Sequence, residues 1–249
     1  MLSVTDKIRI ETVARKIGLW SKLHWLRIVF ILLASIVVEQ IATLPFGAVN
    51  DLARKNPDKT AFMVQHAIEA KLEGKRFKVS QKWIALKEIP RDVVNAVIVS
   101  EDGTFWAHHG FDWYELKESI GRDIEEGRAA RGASTITQQL VKNLYLSPSK
   151  NPLRKLKEWT LTWWMEQKLS KSRILEIYLN VIEWGDGVYG IEAASQYHFG
   201  KSVTLLSKEE AARLAAIIPD PTDHMAGSDS PYVVRRSALI LDRMEARGY

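Results

Sequence analysis

The first segment restricts the fold most. Residues 1 to 27 carry Lys7, Arg9, Arg15, Lys16, Lys22 and Arg27 against Asp6 and Glu11, and they lead directly into the apolar run Ile28 to Val38. That run has 11 residues, short of the roughly 20 needed to cross a bilayer. Extended from Trp25 to Phe46 it stays mainly apolar, with Arg27 able to snorkel to one interface and Trp20 and Trp25 at the same level. A cleaved signal peptide or a buried core helix could carry similar residues. However, no small-x-small cleavage site comes promptly after it, and the basic flank is one-sided. The expectation is therefore a basic tail at 1–24, a single transmembrane anchor at 25–46, and everything after it on the far side from the cytoplasm.

The remainder of the chain suits one folded domain. The chain has 249 residues, 46% of them hydrophobic, enough for one sizeable core. A formal charge of +5 fits a membrane surface or a phosphate substrate without selecting either. The absence of cysteine excludes disulfides, thiolate nucleophiles and Cys-ligated zinc, and leaves the compartment open. Most of the nine Trp are expected in the core, with a surplus available for sugars or a membrane interface. From Asn50 onward no repeat or low-complexity tract appears, and the pattern is mainly helical. Phe77 to Val79, extending toward Trp83, alternates as one short strand. Pro90 suits a first helical position ahead of Val94, Val97, Ile98 and Glu101. Asn151 and Pro152 suit the start of a helix reaching Leu169, with Arg154, Glu158, Leu161 and Met165 on one face; a second helix spans Lys171 to Leu179. Ser207 and Glu210 form a capping box before Ala211 to Ile218, which Pro219 stops, and a terminal helix covers Val234 to Ala246. Many helices on short connections predict an all-α or α-dominated globule.

Two segments could carry chemistry. In Glu101-Asp102-Gly103-Thr104-Phe105-Trp106-Ala107-His108-His109-Gly110, two acids end an apolar helix and two imidazoles come after them. Desolvation by that apolar face would raise the pKa of Glu101 and tune it to accept a proton near neutral pH. A helix end with solvated acids and loop-satisfying histidines explains the same residues. A metal site from His108, His109 and Asp112 matches no ligand motif. In Gly132-Ala133-Ser134-Thr135-Ile136-Thr137-Gln138-Gln139-Leu140-Val141-Lys142-Asn143, a turn and a Ser/Thr cap open a helix whose polar face offers Gln138, Gln139, Lys142 and Asn143. Such a face suits pyrophosphate and sugar hydroxyls, or simply solvent. Arg154 and Glu158 stand at i, i+4 with base before acid, the less stabilising order for a plain helix pair, which favours a role in a site. Lys155 is a further candidate beside them. Gly185-Asp186-Gly187-Val188-Tyr189-Gly190 fits G-x-G-x-x-G, but the helix before it and the lack of βαβ units rule against dinucleotide binding; it reads as a tight loop entering a helix at Ile191.

Taken in order, these segments resemble the glycosyltransferase family 51 domain in its monofunctional biosynthetic form. Five motifs carry the resemblance from about Ile89 to Pro221. They are Glu101-Asp102 with Phe105, His108 and Gly110; Gly132-Ala133-Ser134-Thr135 to Asn143; Arg154-Lys155 with Glu158; Ile174-Leu175-Glu176 with Tyr178-Leu179-Asn180; and Tyr189-Gly190-Ile191 with Ala193-Ala194. Ala133 stands where glycine is common, and His198 where tyrosine is common. The resemblance implies a mainly α, lysozyme-like catalytic domain at 89–221 with a membrane-facing lobe, a membrane-proximal linker region at 47–88, a C-terminal helix at 222–249 completing the domain, and no transpeptidase domain. It implies polymerisation of lipid II into β-1,4 glycan with release of undecaprenyl pyrophosphate, with Glu101 as general base and Glu158 orienting cations or donor. Lys142, Arg154 and Lys155 would hold pyrophosphate. Asp102, Phe105, His108, Ser134, Thr135, Gln138, Gln139 and Asn143 would complete the substrate site. A divalent cation, Mg or Mn, assists some relatives, but no Asp-x-Asp pair here demands one. The implied partners are lipid II, the growing lipid-linked chain, the membrane and other cell-wall synthesis proteins, with no nucleic acid; the implied location is the bacterial inner membrane with a periplasmic domain. A lysozyme-like hydrolase or lytic transglycosylase is the enzymatic rival. A tethered glycan-binding scaffold is the non-enzymatic one, and it would need neither Glu101 nor Glu158.

Overall fold

The computed structural model describes residues 4–126, 134–146 and 152–249, and the chain divides into two units, Met1–Leu44 and Pro45–Tyr249. The first is one helix, α1 (Val4–Ala42). From His24 the helical chain is long and apolar enough to cross a membrane, and none of that apolar window is buried by protein. Trp25, Leu26, Phe30, Ile31, Leu32 and Leu33 are all exposed, which suits a helix solvated by lipid rather than water. The side chain of Trp20 lies outside the described residues.

The second unit is helical around a small sheet. It contains α2 (Phe46–Asp51), α3 (Ala61–Leu72), β1 (Ser80–Gln81), α4 (Arg91–Glu101), α5 (Trp113–Glu126), α6 (Ile136–Tyr145), α7 (Pro152–Lys168), α8 (Lys171–Val181), β2 (Glu183–Gly185), β3 (Val188–Tyr189), α9 (Ile191–Phe199), α10 (Lys208–Ile217) and α11 (Pro231–Ala246). Caps set several starts, some read from the sequence and one, at α11, not. Ser207 and Glu210 form the expected capping box of α10, Ser230 caps α11, and Pro90 is the N-cap of α4 rather than its first helical residue. The expected cap Asn151 lies outside the described residues. Helices α4, α10 and α11 pack together, as do α6, α7 and α8. Residues 47–88, expected as a membrane-proximal region, belong to the same compact unit as the rest, with Val49, Leu52 and Met63 buried.

The sheet joins distant parts of this unit. Its order is β1-β3-β2, with β1 parallel and β2 antiparallel to β3. The strand expected from Phe77 to Val79, extending toward Trp83, is confined to Ser80–Gln81 as β1, and Phe77 to Val79 are not in it. The glycine-rich segment read as a plain loop is instead the β2–β3 hairpin, with an irregular register between Glu183 and Gly185. Gly190 leaves it at φ +81 with its Cα against the Asn180 carbonyl, where a Cβ would lie 2.6 Å from that oxygen, so only glycine can make this entry into α9. Asn180 secures the other side: its Oδ1 accepts from the Ile84 N–H at 2.8 Å and its Nδ2 donates to the Ile84 and Glu176 carbonyls.

His198 is a buried imidazole at the end of α9. Its Nε2 lies 2.7 Å from the Trp184 carbonyl, and the Ala226 N–H donates to its Nδ1 at 3.2 Å. Those two partners require the neutral Nε2–H tautomer, and burial holds the imidazole below its ordinary value, against the carbonyl contact that raises it. The folded chain therefore binds this proton less readily than the unfolded chain, so stability falls as pH drops below about 6.5. We expect His198→Tyr to reduce the fall in Tm between neutral and mildly acidic buffer. An unchanged acid slope would show that other groups carry it.

Candidate active site

Glu101 ends α4, whose buried face is Val93, Ala96, Val97, Ile98 and Val99. Asp102 leaves helical geometry at φ −161, ψ 73 while its N–H still bonds the Ile98 carbonyl. The last helical side chain is thus carried into the protein with 9% of its surface exposed. Burial pushes the Glu101 carboxyl up. Hydrogen bonds from Gln139 and Ser100 and the charge of Arg236 oppose that push, and Asp102 adds to it. Ser100 Oγ donates to Oε1 at 2.9 Å, and Gln139 Nε2 donates to Oε2 at 3.0 Å. Gln139 is itself held by the Tyr178 hydroxyl, which donates to its Oε1 at 2.8 Å. Burial, then the charges of Glu101 and Asp102, pushes the Tyr178 phenol well up, so it remains a donor. A chain Tyr178→Gln139→Glu101 therefore fixes one carboxylate oxygen. Among the described residues Oε2 accepts only that one bond, which leaves a lone pair to take a proton.

Several residues expected to bind substrate serve the site from beneath. Asp102 Oδ2 accepts from the Ile136 N–H at 2.9 Å, and its Oδ1 meets His108 Nε2 at 2.8 Å. The Gly110 N–H donates to His108 Nδ1 at 3.1 Å, so the ring donates through Nε2 to Asp102. Thr135 Oγ1 donates to the Gly110 carbonyl at 2.7 Å, and Thr135 with Gln138 forms the capping box of α6. This network joins the end of α4 to the start of α6, where a carboxylate at the first N–H groups suits the helix dipole. Phe105 has no exposed surface and lies under the Lys171 ammonium at 4.4 Å, so its part is packing rather than contact with substrate. Asn143 turns back to the Gln139 carbonyl at 2.9 Å. Ser134 is half-buried at the mouth of α6, while Gly132 and Ala133 lie outside the described residues.

Gly110 holds this network at φ +88, where a Cβ would meet Thr162 Cγ2 at 2.9 Å and Glu166 Cγ at 3.0 Å. Both neighbours are packed on α7, and Thr162 is fully buried. Gly110→Ala combines a left-handed backbone, costing about 1–2 kcal/mol, with that clash. The expected result is a Tm lowered by several degrees together with a loss of activity that tracks the loss of fold; an unchanged Tm would contradict it.

The second half of the site is cationic. Glu158 on α7 is 3% exposed. It accepts from Arg154 Nη1 at 3.2 Å and from Lys155 Nζ, so the i, i+4 pair read from the sequence forms and gains a third member. Lys142 on α6 responds to the same group. Burial pushes its ammonium down, Glu158 raises it, Arg154 and Lys155 lower it, and Glu101 raises it. Three cations thus gather about one buried carboxylate, and one of them, Lys142, also feels the charge of Glu101. Donor capacity remains: Arg154 Nε is buried without a hydrogen-bond partner, and among the described residues the Lys142 ammonium makes no hydrogen bond, its nearest ring being Phe62 at 6.0 Å.

The ligand atoms of Asp102, His108 and Asp112 lie within 4.8 Å of one another. His109 is exposed and is not among them. Both His108 nitrogens and both Asp102 oxygens are engaged as above, and Asp112 accepts from Thr104 and from the Glu115 N–H. His108 could ligate a divalent ion only by giving up one of its two bonds, whereas the carboxylate oxygens, each accepting one bond, keep lone pairs. Tyr178, Ser100 and Arg236 complete the surroundings of Glu101 and were not among the residues singled out from sequence. Tyr178 did stand inside a motif, and Ser100 beside the acid.

The helical domain thus holds one buried carboxylate, with a lone pair free on Oε2, together with a cluster of three cations around Glu158, an arrangement suited to acid–base group transfer. The transglycosylase family model matches residues 69–245, and the chain belongs to that family. It is 42% identical over 189 residues to a biosynthetic peptidoglycan transglycosylase of Herminiimonas arsenicoxydans, covering 76% of this chain and 82% of the relative. A protein of the same description from Nitrosospira multiformis is 40% identical over 189 residues, 76% of this chain and 82% of the relative. One from Paraburkholderia xenovorans is 36% identical over 237 residues, covering 94% of this chain and 98% of the relative.

Proposed function

We propose that Glu101 is the general base with which this peptidoglycan glycosyltransferase joins lipid II to a growing lipid-linked glycan. The 4-hydroxyl of the acceptor sugar gives its proton to Glu101 Oε2 as its oxygen forms a bond to the donor's anomeric carbon. The bond from that carbon to phosphate breaks with its electron pair, the configuration inverts from α to β, and undecaprenyl pyrophosphate leaves. Lys142, Arg154 and Lys155 stabilise the negative charge that builds on the leaving group, with Glu158 orienting them. The observation that carries this reading is the pairing of a desolvated carboxylate, fixed through Gln139 but with a lone pair to spare, with a separate cluster holding unused cationic donors. A lytic enzyme would instead need a carboxylic acid that donates to a glycosidic oxygen, and the biosynthetic names of the relatives give that reading no support.

The apolar helix of the first unit supports a membrane anchor, and its basic flank supports a cytoplasmic N-terminus with the catalytic domain on the periplasmic side. Exposed Trp113, Tyr114, Trp159 and Trp163 suit an interface where the polyprenyl tails of both substrates enter. Contacts with other cell-wall synthesis proteins belong to the same reading. The test is incubation of detergent-solubilised protein with labelled lipid II. Muramidase-sensitive polymer is the expected product; shortening of preformed glycan without new polymer would overturn the reading.

A further inference from the structure

One group beside Glu101 comes from outside the motif-bearing stretch. Arg236 lies in the second turn of α11, the terminal helix, which packs on both α4 and α10. Its Nη2 lies 3.6 Å from Glu101 Oε1 and 3.4 Å from Ser100 Oγ, and Ser100 donates to the same Oε1 at 2.9 Å. The guanidinium and the hydroxyl thus converge on one carboxylate oxygen while Gln139 holds the other. Arg236 Nε is buried without a hydrogen-bond partner, and its side chain is 33% exposed. A cation placed only to tie α11 to the body would be expected to use its full donor fork on a surface acid. Among the described residues, the polar partners of this guanidinium are Ser100 and Glu101.

We propose that Arg236 is a positioning residue of glycosyl transfer, which keeps Glu101 ionised through Oε1 so that Oε2 is free to take the acceptor proton. The inference rests on the reading of Glu101 as general base. Desolvation favours the protonated acid, and a protonated Glu101 cannot accept. The groups facing it are Asp102 at its own helix end, Lys142 and Gln139 from α6, Tyr178 from α8, the Ala215 carbonyl of α10 through Ser100, and Arg236 from α11. The two cations are Lys142, which is pledged to Glu158 and the anion site, and Arg236. Among the described residues Arg236 is the one cation within ion-pair distance of Glu101, and it lies on α11, outside α6 and α7 which carry the cluster.

The test is the pH dependence of kcat/KM for lipid II polymerisation by the full detergent-solubilised chain, in wild type, Arg236→Gln, Arg236→Met, Arg236→Lys and Arg235→Gln. Neutralising Arg236 should move the acid limb alkaline by about one unit, so that on the limb the variants run about tenfold slower, and rates converge on wild type at the alkaline plateau. Arg236→Lys should restore most of the wild-type position, and Arg235→Gln, an exposed neighbour on the same helix, should match wild type throughout. Arg236→Met keeps the packed stem and serves if the Gln variant unfolds. An unmoved limb, or a loss of rate equal at every pH, would overturn the proposal and leave a merely structural role. A raised KM with an unmoved limb would also overturn it, in favour of direct substrate binding. Glu101→Gln run in the same assay separates that failure from failure of the general-base reading, which would show as polymer formed by Glu101→Gln at the wild-type rate.

Discussion

Glu101→Gln is expected to lose polymerisation by roughly a hundred- to ten-thousand-fold, the usual worth of a positioned general base, while keeping its fold and its affinity for lipid II. The amide preserves the shape of the carboxyl group: its oxygen can accept from Gln139 while its NH2 donates to Ser100 Oγ, whose hydroxyl turns to the Ala215 carbonyl, but it cannot take a proton. Stability should move the other way. Burial holds the Glu101 carboxyl above its unfolded value, so the folded state binds that proton more tightly, and above the unfolded pKa the charged side chain works against folding. A neutral glutamine removes that cost, and the variant's Tm at neutral pH should equal or exceed that of wild type. Polymerisation and Tm measured together therefore separate chemistry from collapse. A variant that polymerises at the wild-type rate would remove Glu101 from the reaction.

The second large effect is expected at the cationic cluster. Under the proposed mechanism Lys142→Ala removes one of the cations assigned to the leaving pyrophosphate, and loss of one preorganised donor at a developing charge costs about 10²–10³ in kcat. Because Arg154 and Lys155 remain around Glu158, the lower end of that range is expected. The fall should lie more in kcat than in KM, since the interaction strengthens as the bond to phosphate breaks. Burial keeps the Lys142 ammonium below its ordinary value, so its deprotonation should contribute an alkaline limb that disappears in Lys142→Arg. A rate unchanged by Lys142→Ala would take Lys142 out of the leaving-group site.

Much of this was legible along the chain because local rules decided it. The stripe Val97, Ile98, Glu101 predicted a carboxylate at the edge of an apolar helix, and α4 buries it so. The capping chemistry of Thr135 and Ser207 marked the starts of α6 and α10. Arg154 and Glu158, read from an unfavourable helical order, meet as an ion pair that Lys155 joins. What remained hidden depends on contacts between distant residues. Strands of two and three residues are too short to display alternation, so the β2–β3 hairpin looked like a glycine loop. Arg236 touches Ser100 across 136 residues, and no periodicity links a terminal helix to the end of α4. Phe105, Asp102 and His108 sat in a motif beside the base. Spacing could not separate side chains that face substrate from side chains that hold the loop beneath it, whereas burial and hydrogen-bond partners do.

The central claim is that a desolvated Glu101 accepts the proton, and the acid side of the pH–rate profile tests it most directly. The wild-type chain should show kcat/KM for lipid II polymerisation falling tenfold per pH unit on the acid side, through a midpoint above the ordinary glutamate value of about 4.3. A rate that stays level through that region, or that rises as pH falls, would contradict it, because the group in control would then be acting as an acid or not titrating at all.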